Sequence, residues 1–146
     1  MKTLFVDSVL DAFTRRQPLI SYTQIHTGVS YLSSYLKNLG HPTGLVVLSP
    51  TSLRSATARL AEAVQKHKPD VIGFTSVASH YPFIKDLADQ AKRRWPSIFQ
   101  VVGGVHVSLC PDEAAVASFD AICIGEGELP LAELIDSWRK VDGLNR

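Results

Sequence analysis

The 146-residue sequence has only two cysteines, Cys110 and Cys123, and a single methionine. From these two thiols no zinc or iron–sulfur ligand spacing can be built, because such sites draw several cysteine or histidine ligands from short, regular motifs. Nor do two cysteines in an otherwise ordinary composition indicate a disulfide framework. We therefore expect a reducing, cytoplasmic location.

An excess of one charge and long apolar runs are missing as well. The net charge is +1 and charged residues make up 20% of the chain, which gives no electrostatic footprint for nucleic acid or an anionic membrane. No apolar run approaches the length of about 18 residues that a membrane span requires. The opening MKTLFVDSV is too short for a signal peptide and predicts a strand.

What the sequence does contain is a regular alternation of short apolar runs and helix-period stretches. The pattern predicts strands over residues 3–9, 44–49, 71–76, 99–102 and 121–124. Helices are expected over about 28–39, 51–68 and 82–95, with a short one opening at Pro111 and a last one at Pro130. This alternation predicts an α/β fold: a flavodoxin-like (Rossmann-like) three-layer sandwich whose five-stranded parallel sheet carries helices on both faces.

Small residues and glycines follow three of the predicted strands. In open α/β sheets, ligands bind beyond the carboxyl ends of the strands, so these residues are the candidate site. They are Thr75, Ser76, Val77, Gly103, Gly104, Val105, His106, Gly125, Glu126 and Gly127. Each glycine alone is explained by a tight turn, but three such clusters leave room for a flat or bulky ligand to approach the backbone.

Nucleotide-binding motifs are missing from these positions. No G-x-G-x-x-G follows the first strand and no Walker pattern exists. The lone G-x-G at residues 125–127 carries acidic side chains that would repel a pyrophosphate. The sequence therefore excludes a dinucleotide or P-loop site.

The strings VVGGVHVSLCPDEA and FDAICIGEGELPLAEL resemble the end of the cobalamin-binding domain that precedes the barrel of cobalamin-dependent radical SAM enzymes. Members of that group carry a GG-x-H-x-S/T-x-x-P-E-like segment and then a GEGE-like segment ahead of an apolar helix. The earlier PDVIGFTS and GVSYLSSYLKNLGH fit its third strand and first helix. The resemblance covers almost the whole chain and is weakest before residue 28.

This resemblance implies a cobalamin-binding domain over residues 1–140, with residues 141–146 as a tail or the start of a linker. The ten strand-end residues would contact the cofactor. Thr75 and Ser76 would line the slot for its dimethylbenzimidazole tail, Gly103 and Gly104 would let the tail pass, and residues 125–128 would border the slot. Tyr22, Gln24 and His26 are expected near the lower face of the corrin.

The chain departs from two patterns of the wider group. Many cobalamin domains place a cobalt-ligating histidine in D-x-H-x-x-G after the first strand, whereas His41 follows the first helix and Leu39 stands in the aspartate's position. His41 is therefore expected to be a turn residue, and cobalamin to bind base-off with no metal ligand from the protein. The three-cysteine radical SAM motif is also missing, so no catalytic residue is expected.

Catalysis would then require a radical SAM catalytic domain, in cis or in trans, which would supply S-adenosylmethionine and the iron–sulfur cluster. The chain is either a fragment or a stand-alone domain. Because the upper face of the corrin must meet that partner, an exposed apolar rim is expected from Val77, Tyr81, Val105, Val107 and Leu109.

Two residues of the motif have roles that the sequence leaves open. His106 either contacts the cofactor or hydrogen-bonds a backbone carbonyl at its turn. Glu128 is expected to cap the last helix rather than to form an acid–base pair with Glu126.

The alternative to a cobalamin domain is a flavodoxin-like regulatory or protein-interaction domain without a cofactor. A flavin mononucleotide enzyme is a third possibility, but DSVLDAFTRR is a poor phosphate loop.

Overall fold

The computed structural model describes residues 1–9 and 27–144. Tyr22, Gln24 and His26 lie outside these ranges. Five strands are present: β1 (Thr3–Ser8), β2 (Thr43–Leu48), β3 (Val71–Thr75), β4 (Phe99–Gly103) and β5 (Ala121–Ile122). Six α-helices accompany them: α1 (Thr27–Asn38), α2 (Leu53–His67), α3 (Tyr81–Arg94), α4 (Val105–Leu109), α5 (Pro111–Ala115) and α6 (Glu128–Leu144).

All five strands are parallel and lie in the order β2-β1-β3-β4-β5. Alternate residues of a strand point to opposite faces, so the sheet has two apolar faces to cover. Leu4, Val6 and Ile72 face the cluster that includes α2 and α3, whereas Phe5 and Val71 face the cluster formed with α1 and α6. The predicted three-layer α/β architecture is confirmed.

Capping residues fix both ends of α2. At the start of α2, the Ser52 hydroxyl accepts a hydrogen bond from the Ser55 amide at 3.3 Å. At its end, Lys68 takes the left-handed conformation with φ 46°, ahead of Pro69. Within the described ranges, no helix has the length and apolar character needed to cross a bilayer.

The structure differs from the sequence-based expectation at three places. Helix α4 was not predicted, because one helical turn between Gly104 and Pro111 is too short to show a period. Strand β5 pairs with β4 over only two residues, Ala121 and Ile122, rather than over 121–124. Helix α6 begins at Glu128, two residues before Pro130, which places Glu128 in its first turn as expected for a capping acid.

His41 lies in the turn between α1 and β2, as expected, and is buried. Its amide donates to the Leu36 carbonyl at 2.9 Å and thereby closes the end of α1. Its Nε2 lies 3.3 Å from Asp136 Oδ1 on α6. The imidazole therefore connects the two helices that cover one face of the sheet, a role that the turn motif alone did not reveal.

We expect His41→Ala to lower the free energy of unfolding by about 2 kcal/mol, because it empties a buried site and removes the link to α6. Asp136→Ala is the matched control. Its carboxylate is half exposed, so the loss should stay below about 1 kcal/mol. Urea unfolding followed by circular dichroism measures both values. Equal losses would show that His41 contributes only through the ion pair.

Candidate functional site

The strand order places the candidate site at one edge of the sheet. The chain leaves β1 in one direction to reach β2 and returns past β1 to β3, so the topological switch point lies between β1 and β3. The carboxyl ends of the strands and the loops that follow them form what we call the strand-end edge. All ten predicted site residues lie on the part of this edge contributed by β3, β4 and β5.

The ends of β3 and β4 are held together by backbone hydrogen bonds around Ser76. Its amide donates to the Gly103 carbonyl at 3.1 Å, and its carbonyl accepts from the His106 amide at 3.3 Å. Gly104 has φ 101°, a conformation that L-residues rarely adopt. A Cβ there would lie 2.7 Å from the Ser76 carbonyl oxygen. Glycine is thus required so that the two backbones can approach each other.

Ser108 connects the loops after β4 and β5. Its hydroxyl donates to the Gly104 carbonyl at 3.1 Å and accepts from the Gly125 amide at 2.9 Å. Gly125 has φ 80°, and a Cβ there would meet no atom within 4 Å. A single hydroxyl therefore fixes the separation of two loops that border open space.

The far side of the β5 loop rests on helix α1. A Cβ on Gly127 would lie 3.1 Å from a Leu32 methyl group, so this glycine allows the loop to pack against the helix. Cys123 is half-buried beside it. Burial raises the pKa of the Cys123 thiol, and the negative charges of Glu128 and Glu126 raise it further. At neutral pH the Cys123 thiol is therefore uncharged, whereas the Glu126 carboxylate is exposed next to it.

Two residues at the switch point were missed by sequence reasoning. The Ser8 hydroxyl at the end of β1 lies 2.9 Å from His80 Nδ1, and the same nitrogen lies 3.1 Å from the Ser8 carbonyl oxygen. Both side chains are buried. Their positions in the sequence could have identified them. Ser8 ends the first strand and His80 follows the third, and these two strands flank the switch point.

His106 is buried in a pocket made by three helices. Its ring stacks on Tyr81 with centroids 4.2 Å apart, and its Nε2 lies 3.2 Å from Glu113 Oε2. Among the described residues, that nitrogen has no hydrogen-bond partner, neither a backbone carbonyl nor another group. Burial raises the pKa of the Tyr81 phenol, with smaller contributions from Glu113 and Asp89. Tyr81 thus remains a neutral donor, and its hydroxyl bonds the Glu113 carbonyl at 3.1 Å.

The expected apolar rim is present only in part. Val105 and Leu109 are exposed, at 55% and 76%, and Val77 is half-buried. The expectation was wrong for Tyr81 and Val107, which are 1% and 0% exposed. Tyr81 turns inward to stack on His106, and Val107 occupies the inner face of the one-turn helix α4, which packs into the core. Two further apolar side chains, Ile124 and Leu129, are exposed at 57% and 58%.

A cavity of about 570 Å³ lies elsewhere, between the last turns of α2 and α3. Val64, Arg94 and Trp95 are among the residues that line it. Since helices return antiparallel to the strands, these last turns lie at the edge where the strands begin. The cavity is therefore at the opposite end of the molecule from the candidate site.

Comparison with protein families gives one match that covers most of the chain. The model of the B12 binding domain matches residues 20–135. An uncharacterised methyltransferase of Pyrococcus horikoshii is 27% identical over 142 residues, which is 96% of this chain and 30% of that protein. The anaerobic magnesium-protoporphyrin IX monomethyl ester cyclase of Rubrivivax gelatinosus is 29% identical over 109 residues, covering 73% of this chain and 20% of the cyclase.

Solved structures support the same fold. A cobalamin-binding protein from Desulfitobacterium hafniense superposes with a TM-score of 0.64 at 12% identity, covering 94% of this chain and 58% of that one. The cobalamin-dependent S-adenosylmethionine radical enzyme OxsB, solved with aqua-cobalamin bound, gives a TM-score of 0.66 at 19% identity and covers 94% and 19% of the two chains. The chain thus spans less than a third of the sequence relatives that it matches.

We expect Gly104→Ala to destabilise the fold by about 3–5 kcal/mol, since it adds both backbone strain and a clash with the Ser76 carbonyl. Gly125→Ala is the control, because it shares the positive φ but meets open space, and it should cost about 1–2 kcal/mol. Urea unfolding gives both values. If the two losses are equal, the approach of β3 and β4 does not depend on Gly104.

Proposed function

The chain belongs to the B12-binding domain family, and on that premise we propose that it holds cobalamin across the carboxyl ends of β3, β4 and β5. Cobalamin supplies the organometallic chemistry when bound, and the protein supplies binding and orientation. The proposal includes binding in the base-off form with no histidine on cobalt.

The observation that carries the proposal is the open, apolar character of this edge. Val105 and Ile124 are more than half exposed on the loops that follow β4 and β5. Gly125, the residue after Ile124, borders open space, because a Cβ there would meet no atom within 4 Å. A corrin is a broad, largely apolar ring, and it fits an edge that offers small residues and exposed aliphatic side chains without a covering loop among the described residues.

The ten predicted residues take different parts in this proposal. Thr75, Gly103 and Gly127 are partly accessible and would line the walls of the tail slot. Ser76 and Gly104 would act through shape, because their backbone groups already hold β3 against β4. The remaining residues, Val77, Val105, His106, Gly125 and Glu126, would border the slot and the lower face of the ring.

The absence of a cobalt-ligating histidine is supported by where the described histidines lie. His41 and His67 contact Asp136 and Gly44, near the edge where the strands begin. His80 is engaged by Ser8 at the switch point. His106 is the remaining one, and its Nε2 is buried beside Glu113 rather than directed at solvent.

We further propose that a radical SAM catalytic domain, in cis or in trans, covers the other face of the corrin. Leu109 and Val105 form an exposed apolar part of the rim suited to such a contact. In this arrangement residues 1–140 form the cobalamin-binding domain, and residues 141–146 are a tail or the start of a linker. A cytoplasmic location agrees with two free thiols.

The proposal is tested by titrating the protein with hydroxocobalamin and following the visible spectrum. Ser108→Ala should weaken binding about tenfold, equivalent to roughly 1.4 kcal/mol, because the hydrogen bond from the Gly125 amide that links the two loops is lost together with the bond to the Gly104 carbonyl. Ser118→Ala, an exposed serine ahead of β5, should leave the affinity unchanged. Circular dichroism verifies that both variants are folded. No binding by the wild-type protein would favour the alternative of a regulatory domain without a cofactor.

The proposed absence of a nitrogen ligand on cobalt is tested by a separate measurement. Electron paramagnetic resonance of bound cob(II)alamin should show no nitrogen superhyperfine splitting, since neither the benzimidazole nor a histidine would coordinate cobalt. Free cob(II)alamin at neutral pH is the base-on reference. A retained nitrogen splitting would contradict the base-off assignment, and its loss in His80→Ala or His106→Ala would identify the ligand.

A further inference from the structure

Three side chains of different donor chemistry meet beside the strand-end edge. The ligand atoms of His106, Cys110 and Glu113 all lie within 4.8 Å of one another. We propose that they bind a divalent cation of the zinc type, at a site separate from the cobalt of cobalamin. Of the three residues, only His106 is also among the proposed corrinoid contacts, and the cation would use its Nε2, which lies beside Glu113.

The backbone brings the three residues together through a break between two short helices. Cys110 ends α4, and its amide donates to the His106 carbonyl at 2.8 Å, so both side chains rise from one helical turn. Pro111 cannot continue that helix and instead begins α5. The change of direction returns Glu113 to His106, with Oε2 of the carboxylate 3.2 Å from Nε2 of the ring.

His106 supplies the observation that points to a ligand. The residue is 9% exposed, and its Nε2 has no hydrogen-bond partner within residues 1–9 and 27–144 despite the nearby carboxylate. A buried polar atom without a partner costs about 1–3 kcal/mol. A cation between the imidazole and the Glu113 carboxylate would satisfy this nitrogen, which the carboxylate alone does not.

Tyr81 holds the His106 imidazole and the backbone of Glu113 in place. Its ring stacks on His106, and its hydroxyl donates to the Glu113 carbonyl. Because Tyr81 is 1% exposed, this support is rigid. Cys110 and Glu113 are both exposed and can rotate, so only the imidazole is fixed before the ion arrives.

The donor set selects for zinc. An imidazole nitrogen, a thiolate and a carboxylate are the three ligand types that zinc accepts, with bonds of about 2.0–2.3 Å. Tetrahedral ligands at those lengths stand about 3.3–3.7 Å apart, so small rotations of the two exposed side chains close the site. On binding, the Cys110 thiol forms a bond to zinc and releases its proton to solvent. Three protein ligands leave one position for water.

The experiment uses the full chain without cobalamin. Zinc affinity is measured by competition with a chromophoric chelator, and cobalt(II) ion serves as the spectroscopic probe. We expect one equivalent of either ion and a thiolate-to-cobalt charge-transfer band in the near ultraviolet. Cys110→Ser should abolish the band and weaken zinc binding by more than the roughly 10–100-fold that loss of an outer-sphere partner typically costs. Cys123→Ser is the matched control and should retain both.

Further variants separate a metal site from a simple ion pair. Glu113→Gln replaces an exposed carboxylate with an uncharged amide of nearly the same size, so the variant should remain folded and should bind zinc more weakly. Zinc should slow the alkylation of Cys110 and leave that of Cys123 unchanged. A wild-type protein without the charge-transfer band, or a band lost in Cys123→Ser but kept in Cys110→Ser, would overturn the proposal and leave His106 and Glu113 as an ion pair.

Discussion

The close approach of the Gly104 backbone to Ser76 is the constraint on which the strand-end edge depends. Neighbouring parallel strands are joined by backbone hydrogen bonds, but these normally cease where the strands end. Here they continue, because Ser76 bonds both the Gly103 carbonyl and the His106 amide. Gly104 permits this approach only because it has no side chain and a φ of 101°. The position of α4, and with it of every candidate ligand-binding group on that helix, follows from this contact.

A second contact decides which part of the edge is open. In sheets of this order the crevice between β1 and β3 is the usual ligand position. Ser8 and His80 span that crevice with a buried hydrogen bond. Of the described part of the edge, the more open region therefore lies towards β4 and β5, where Gly125 borders free space and Ser108 sets the separation of the loops. A broad, flat ligand would rest there with its edge towards the switch point.

The apolar periodicity of the sequence was sufficient to predict the succession of strands and long helices along the chain, because each long helix buries a stripe of apolar side chains. It could not predict α4, a single turn, or the early end of β5. Sequence position placed His106, Gly104 and Gly125 at one edge correctly. It could not show that Tyr81 and Val107 turn inward, since both follow a strand as the exposed Val105 does. Burial at a loop is decided by partners distant in sequence, and Tyr81 meets His106 and Glu113 only in the folded chain.

The side chains of the segment from Gly103 to Ala114 fall into two sets, one buried in the core and one exposed at the surface. His106, Val107 and Ala114 face inward and are fixed by the core, so they are not free to adapt to a ligand. Val105, Leu109, Cys110 and Glu113 face outward, and their substitution would leave the packing intact. His106 is the exception within the inner set, because its buried Nε2 is directed towards the outer set without a partner. A core residue with an unsatisfied donor or acceptor is stable only if something external completes it, or if the fold accepts its cost. For that reason the outward residues next to it, rather than the glycine motif that first draws attention, are where a second ligand would be found.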